Sequence, residues 1–282
     1  MSEKIAINLG KVQETLLLPL WGRAVESRKA KPSLVDPKAV EIIENIDYDF
    51  SMMARNINPI TQLAWVARSL HIDRAIQEFI RAHPRATIVN IGCGLDTTFE
   101  RIGDGDIRFY DLDLPDVIQL RRHFFQDNER RTTLSGSFLE PGWMDRIERN
   151  DALLFVAAGV LYYFEEEQVK AFLVSLADRF NTCEIFFDAA SPLGVRVANR
   201  KVIQDGGMDE SAILKWGISS GMVIERWDSR ITLLREFPMF KGFKKGYPPG
   251  VQYGLWMSDR LRIMSMVHLG VDLERRDARS KR

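Results

Sequence analysis

The pattern of apolar and polar positions changes character once along the chain, close to residue 85. Before that point apolar residues recur at helical spacing. Residues 11–26 place Val12, Thr15, Leu16, Pro19, Leu20 and Ala24 near one face, and Pro19 is expected to kink or interrupt that helix. Asp36-Pro37 has the form of a helix start, followed by Ala39, Val40, Ile42, Ile43 and Ile46 on one side. Residues 63–82 repeat the period through Leu63, Val66, Ala67, Leu70, Ile72, Ile76, Phe79 and Ile80. His83-Pro84 closes it, because the residue before a proline is driven out of the helical region.

Beyond residue 85, short apolar runs alternate with helical segments. Strands are expected at 87–91, 107–112, 131–134, 153–157, 184–188, 223–234 and 261–267, with helices at 116–128, 165–180 and 209–216. Such alternation gives a mostly parallel sheet joined by right-handed crossovers. The expected fold is therefore α/β: a doubly wound, mostly parallel seven-stranded sheet over residues 85–282, with a helical N-terminal cap over 1–84. Residues 241–254, rich in Gly, Pro and aromatics, read as a loop or insertion.

The chain has 282 residues, enough for one large domain or a domain with an appendage. Thirty-nine basic residues balance 39 acidic ones, so no long-range field recruits nucleic acid or anionic lipid. The doublets Arg121-Arg122, Arg130-Arg131 and Arg275-Arg276 read as solvated helix faces. No apolar run reaches the roughly twenty residues that span a bilayer. The first residues lack a signal-peptide layout, and the two cysteines, Cys93 and Cys183, lack metal-type spacing. The expectation is a reduced, soluble, cytoplasmic protein with no nucleic-acid, membrane or metal partner. Nothing in the pattern specifies an oligomeric state.

The chemistry concentrates at Ala86-Thr87-Ile88-Val89-Asn90-Ile91-Gly92-Cys93-Gly94-Leu95-Asp96-Thr97-Thr98. This reads as a buried strand, a tight turn whose backbone is open to a ligand, and a helix start. About twenty residues on, Phe109-Tyr110-Asp111-Leu112-Asp113 forms a second strand ending in carboxylates, the spacing at which doubly wound domains hold an adenosine ribose. The third glycine of a dinucleotide fingerprint is replaced by Thr97, and Asp96 stands in the turn. A carboxylate there repels a diphosphate but tolerates an ammonium and a sulfonium. That favours S-adenosyl-L-methionine over NAD or FAD, although a G-x-G after a strand also serves as turn chemistry alone. Asp113 lies nearer the ligand-binding edge than Asp111 and is the ribose candidate. Its competing use is as N-cap of a helix starting near Pro115.

Further segments carry a family likeness. They are Leu20-Trp21-Gly22-Arg23-Ala24-Val25-Glu26-Ser27-Arg28, Asp36-Pro37-Lys38-Ala39, Ile46-Asp47-Tyr48-Asp49-Phe50, Ala67-Arg68 and the glycine turn. Asp111-Leu112-Asp113-Leu114-Pro115, Leu154-Phe155-Val156-Ala157-Ala158-Gly159-Val160-Leu161-Tyr162-Tyr163 and Lys215-Trp216-Gly217 extend it over most of the chain. Together they resemble the leucine carboxyl methyltransferase superfamily of class I S-adenosylmethionine-dependent enzymes, most of all the bacterial O-methyltransferases grouped with the tetracenomycin polyketide enzyme. The resemblance implies a Rossmann-like fold and a cofactor site. In it Arg68 pairs with the methionyl carboxylate, Gly92 and Gly94 admit the cofactor to the backbone, and Asp113 takes both ribose hydroxyls. Without the resemblance, Arg68 reads as a surface arginine near a helix end. The family's Asp-Leu adenine pair is replaced by Ser137-Phe138, and its glutamate after the fourth strand by Ala158. That glutamate's partnership with the methionyl ammonium then falls to Asp96 or to backbone carbonyls.

Methyl transfer from a sulfonium is an in-line displacement governed by positioning and exclusion of water. A carboxylate acceptor is ionised at pH 7 and needs no base, whereas a phenol or alcohol does. Tyr163 is the candidate to orient an oxygen nucleophile, with a packed aromatic as the competing reading. Arg23 matches a family arginine that would attract an acidic acceptor, against a structural ion pair. Trp216 and the aromatic-rich residues 237–253, within insertions near 192–221 and 237–256, are expected to shape the acceptor pocket, although core packing explains the same residues. His71, His83, His123 and His268 read as structural or surface groups. The expected function is S-adenosylmethionine-dependent O-methylation of a small-molecule acceptor, a carboxylate of a polyketide-like or aromatic metabolite among the candidates. The alternatives are a protein C-terminal carboxyl methyltransferase and a non-catalytic cofactor-binding or scaffolding protein.

Overall fold

The computed structural model describes residues 4–7, 13–103, 105–205, 213–243 and 246–272. A small parallel pair, β1 (Ile5–Ala6) and β2 (Ile46–Asp47), stands apart from the main sheet. That sheet has seven strands: β3 (Ala86–Ile91), β4 (Arg108–Asp113), β5 (Arg131–Ser135), β6 (Ala152–Ala157), β7 (Cys183–Ala190), β8 (Ile231–Pro238) and β9 (Met264–Val271). Their order is β5-β4-β3-β6-β7-β9-β8, parallel except for β9, which runs antiparallel to both β7 and β8.

The strand sequences explain their place. β6 is apolar throughout because both of its faces are covered. Leu153, Phe155 and Ala157 join Val89, Ile91 and helix α7 (Glu166–Arg179) on one side; Leu154 and Val156 join Ile88, Phe109 and helix α4 (Pro59–Ala82) on the other. The chain builds outward from β3 through β4 to β5, then returns to lay β6 on the other flank of β3. This reversal opens a crevice at the C-terminal ends of β3 and β6, the usual ligand position in a doubly wound sheet.

Helices α1 (Leu17–Ser27) and α2 (Pro37–Asn45) lie against the glycine turn, and α3 (Ser51–Asn56) leads to α4. Leu17, Leu20, Ala39 and Ile42 form a core with Leu95 of the turn and with Leu120 and Phe125 from α6 (Pro115–Arg121) and the turn after it. By contrast α4 packs Leu63, Ala67, Ile72, Ile76 and Phe79 onto the sheet itself. Asp36 and Asn58 cap α2 and α4, each followed by a proline whose missing N–H costs nothing in a first turn. Pro19 is the third residue of α1, still within the first turn where no intrahelical partner is lost, so it does not break the helix as expected.

Other boundaries move for local reasons. Strand 223–234 is instead a 3-10 turn, Gly221–Arg226, with β8 beginning only at Ile231, because Asp228 accepts from the Arg230 N–H and turns the chain between them. The last strand begins three residues and ends four residues later than expected, and the loop assigned to 241–254 gives way at Pro249 to helix α9 (Pro249–Arg260), again with proline in the first turn. The helix expected at 209–216 falls partly outside the described residues, and residues 213–216 are not helical. There the Asn199 side chain, on α8 (Pro192–Asp205), takes both the N–H and the C=O of Leu214, which removes them from any helical ladder.

Candidate cofactor and acceptor site

β3 ends at Ile91, and the chain then turns with Gly92 at φ +61° and Gly94 at φ +49°, conformations that glycine alone enters freely. A Cβ on Gly92 would lie 2.6 Å from the Val160 side chain. The turn is bound to the neighbouring strand end: Gly94 N donates to one Asp113 oxygen at 2.7 Å, and Leu114 N to the other at 2.7 Å. Asp113 therefore does not cap α6, whose cap residue is Leu114. Burial raises the Asp113 carboxyl to about 6, against the opposing pull of those two hydrogen bonds.

Behind the turn lies a buried polar network. One Asp36 oxygen accepts from Arg23 Nε at 2.9 Å, Thr97 Oγ1 at 2.6 Å and Arg101 Nη1 at 3.0 Å. Arg101, on the short helix α5 (Thr98–Arg101), also holds both oxygens of Asp73 at 2.8 Å and approaches Asp96 at 3.6 Å. Burial acts to raise the pKa of Asp96, but Arg101 and Arg23 outweigh it and hold the carboxyl well below the usual range. Asp111, fully buried, accepts from Arg121 at 2.9 Å, Arg131 at 2.7 Å and Asn90 at 3.1 Å, while Arg121 also donates to the Gly94 carbonyl at 2.7 Å. Arg121 and Arg131 are thus core residues and not the solvated charges expected of their doublets; Arg122 is exposed. Arg131 pairs with Phe109 across β4–β5, one diagonal step from Asp111 on the same face. The third doublet, Arg275-Arg276, lies outside the described residues.

The facing wall comes from α4, β6 and β7. Arg68 is buried and donates through Nη1 to the Tyr162 hydroxyl at 3.0 Å and to Asp188 at 3.2 Å. The other Asp188 oxygen accepts from Gly159 N at 2.6 Å. Gly159 has φ +78°, and a Cβ there would lie 2.5 Å from Arg68 Nη1. Burial acts to lower the Arg68 pKa, and the Asp188 carboxylate more than restores it. Burial pushes both the Tyr162 and the Tyr163 phenol upward; the Tyr163 hydroxyl shares a hydrogen bond with Thr15.

A cavity of about 260 Å³ separates these walls, and every sequence-predicted site residue except Trp216 borders it. Trp216 lies in the core, stacked on Phe187 with ring centroids 6.5 Å apart and 6.0 Å from Trp227. Its packing explains why it sits away from the acceptor pocket expected for it. Arg23 reaches the cavity, but Asp36 and the Leu95 carbonyl, at 2.9 and 3.0 Å, hold it in the structural ion pair that was its competing reading. Phe237, Phe240 and Phe243 pack against α4 and border no part of this cavity. His71, His83 and His268 border a second cavity, of about 480 Å³, and His123 is exposed. Burial lowers His71 to about 4, and its Nε2 meets the Met239 carbonyl at 2.9 Å. Sequence reasoning passed over Tyr162 and Asp188. A lone carboxylate closing the apolar run Ile185-Phe186-Phe187 was the available signal, since a buried charge requires a partner.

A model of the leucine carboxyl methyltransferase family matches residues 17–177, from α1 through the glycine turn to α7. The chain belongs to the leucine carboxyl methyltransferase family. It is 32% identical over 231 residues to the tetracenomycin polyketide synthesis O-methyltransferase TcmP of Streptomyces glaucescens, covering 81% of this chain and 82% of that one. It is 25% identical over 217 residues to the S-adenosyl-L-methionine-dependent methyltransferase dpfgK of Gibberella zeae, covering 70% and 72%. Among solved structures, magnesium protoporphyrin IX methyltransferase from Synechocystis PCC 6803 with bound SAM aligns over 86% of this chain and 100% of its own, at 10% identity and a TM-score of 0.49. As a member of the leucine carboxyl methyltransferase family, the protein is an S-adenosylmethionine-dependent methyltransferase.

The residues present fit that methyl donor. Two glycines without side chains open the backbone beneath the cavity, and Asp96 borders it as a carboxylate held ionised by Arg101 and Arg23. Among the described residues no group of three metal-type ligands occurs, and no helix is long and apolar enough to cross a membrane.

Proposed function

We propose that the protein is an O-methyltransferase whose acceptor is a small molecule presenting a carboxylate. The observation that carries this reading is the lining of the cavity, in which the described residues include no histidine, lysine or glutamate. Burial keeps the Cys93 thiol and the Tyr162 and Tyr163 phenols protonated, Asp96 is ion-paired, and Asp113 is bound by two N–H groups. Asp113, raised to about 6, is the one carboxylate near the range of a base, but its oxygens are taken up by the Gly94 and Leu114 N–H groups, whereas a carboxylic acid acceptor arrives already ionised and needs no base. The name of the Streptomyces relative, an O-methyltransferase of polyketide synthesis, supports a small oxygen acceptor.

When bound, S-adenosylmethionine supplies an electrophilic methyl group on a sulfonium. The protein's part is to align the acceptor oxygen and exclude water. Arg68 has Nε and Nη2 without a hydrogen bond among the described residues, so half of its fork is available for the methionyl carboxylate. Asp113, at the end of β4, accepts from the ribose hydroxyls, and Gly92 and Gly94 let the cofactor approach the backbone. Ser137 and the Phe138 ring, packed edge-on against Phe164 with centroids 4.7 Å apart, hold the adenine; Ala158 leaves room beside the methionyl end. Tyr163 orients the acceptor oxygen. The N-terminal helices act as a cap, with Leu16 lying 3.3 Å from where a Gly94 Cβ would stand.

The test is transfer of a radiolabelled methyl group to a panel of aromatic and polyketide-like carboxylic acids, matched phenols, and a peptide ending in leucine. Base-labile methyl esters of the small acids are expected. Base-stable methyl ethers on the phenols would overturn the carboxylate reading, and label on the peptide alone would move the acceptor class to protein C-termini.

A further inference from the structure

The cavity wall at the methionyl end lacks a carboxylate of its own at position 158, where Ala158 stands, yet it contains one buried aspartate immediately behind it. Asp188 is fully buried at the end of β7 and borders no part of the cavity. Its two oxygens are divided: one meets Arg68 Nη1 at 3.2 Å, and the other accepts from Gly159 N at 2.6 Å. The same carboxylate therefore fixes the guanidinium and the backbone of the loop that leaves β6. Steric fit tightens the arrangement, because the guanidinium lies over Gly159 so closely that a Cβ would stand 2.5 to 2.9 Å from Nη1, Cζ and Nη2. Tyr162 completes it by accepting from the same Nη1 at 3.0 Å.

We infer that Asp188 is a positioning residue for the amino-acid end of the methyl donor. It acts through Arg68, directing the free half of the guanidinium into the cavity, and it does not touch the ligand itself. The assignment rests on the reading of Arg68 as the partner of the methionyl carboxylate. Two consequences follow from charge. An amino-acid end is a zwitterion, and Arg68 with Asp188 is a matched pair of opposite sign, so the wall neither gains nor loses net charge on binding. With Asp188 neutralised, Arg68 keeps its charge but loses one of the two hydrogen bonds that fix Nη1, and the fork is free to rotate away from its ligand. The Arg68 end of the wall is thus ordered from the next strand, β7, and not from residue 158.

The experiment compares two ligands that share an adenosine and differ at one end. S-adenosylhomocysteine carries the amino-acid group, and 5′-methylthioadenosine lacks it. Calorimetric titration of each into the full-length protein and into Asp188→Asn reads the end that Asp188 serves. The expected result is a loss of about tenfold or more in affinity for S-adenosylhomocysteine, the scale of a misplaced charge-assisted hydrogen bond. The affinity for 5′-methylthioadenosine should change by less than about twofold. A general structural role would weaken both ligands together, and equal losses, or no loss for either, would overturn the inference. Should Asp188→Asn fail to fold, Gly159→Ala displaces the same guanidinium from the other side and is expected to give the same selective loss; a non-selective effect overturns the inference there too. Failure of the unmodified protein to bind either ligand would instead remove the underlying assignment of the donor site.

Discussion

The turn wall and the Arg68 wall of the cavity each set buried guanidiniums against buried aspartates, and Arg101 on the first differs from Arg68 on the second in how completely it is used. Arg101 engages Asp36, Asp73, Thr97 and Thr98 through all three of its nitrogens. Arg68 spends a single nitrogen on Tyr162 and Asp188. A guanidinium satisfied on every side holds elements together, since a buried charge left without its partners is costly. One satisfied on half its fork, at the edge of a cavity, is poised for a ligand. The contrast separates a guanidinium that holds elements together from one that, on the proposed reading, is left open to the donor.

The sharpest way to break that distinction is to remove the hub of the first network. Asp36→Ala strips the shared partner from Arg23, Thr97 and Arg101 and the cap from α2. Chemical denaturation is expected to show a loss of about 3–5 kcal/mol; a loss below about 1 kcal/mol would mean that the network is dispensable. Arg68→Lys probes the other wall more gently. It keeps the charge beside Asp188 but replaces the fork with a single ammonium. Cofactor affinity should fall about tenfold while stability changes by less than in Asp36→Ala. The reverse ordering would merge the two walls into one structural unit.

The smallest expected effect is a titration confined to the turn side. Folding raises the Asp113 carboxyl from 3.8 to about 6, so the stabilisation lent by its protonated form is present below 3.8 and lost as pH rises through about 6. Ribose binding needs the opposite, ionised form as acceptor. Affinity for both S-adenosylhomocysteine and 5′-methylthioadenosine should therefore decline as pH falls from 7 to 5, with an inflection near 6 that Asp113→Asn abolishes. A flat profile in the unmodified protein would show that Asp113 is not the ribose acceptor.

Much of the turn wall was legible in the sequence because its parts are local. The strand, the two glycines and the second acidic strand lie within thirty residues, and period and turn chemistry report on that range. The Arg68 wall was only half legible. Arg68 and Asp188 are separated by 120 positions, and no periodicity links a helix of the N-terminal region to the end of the fifth strand of the main sheet. The same blindness made Arg121 and Arg131 look solvated: their burial depends on Asp111, which the fold brings between them from the adjacent strand. Trp216 failed as a pocket residue for a related reason. An aromatic side chain carries the same sequence signature in a core as in a pocket, and only its stacking on Phe187 and Trp227 distinguishes the two.

A crystal structure with S-adenosylhomocysteine bound tests the division of labour between the two walls most directly. The prediction is one ligand bridging the cavity, its ribose hydroxyls on Asp113 and its carboxylate on the free half of the Arg68 fork, with Arg101 and Asp36 unmoved behind the turn. A ligand whose carboxylate lies on Arg23, or whose amino-acid end turns away from Arg68, would contradict it.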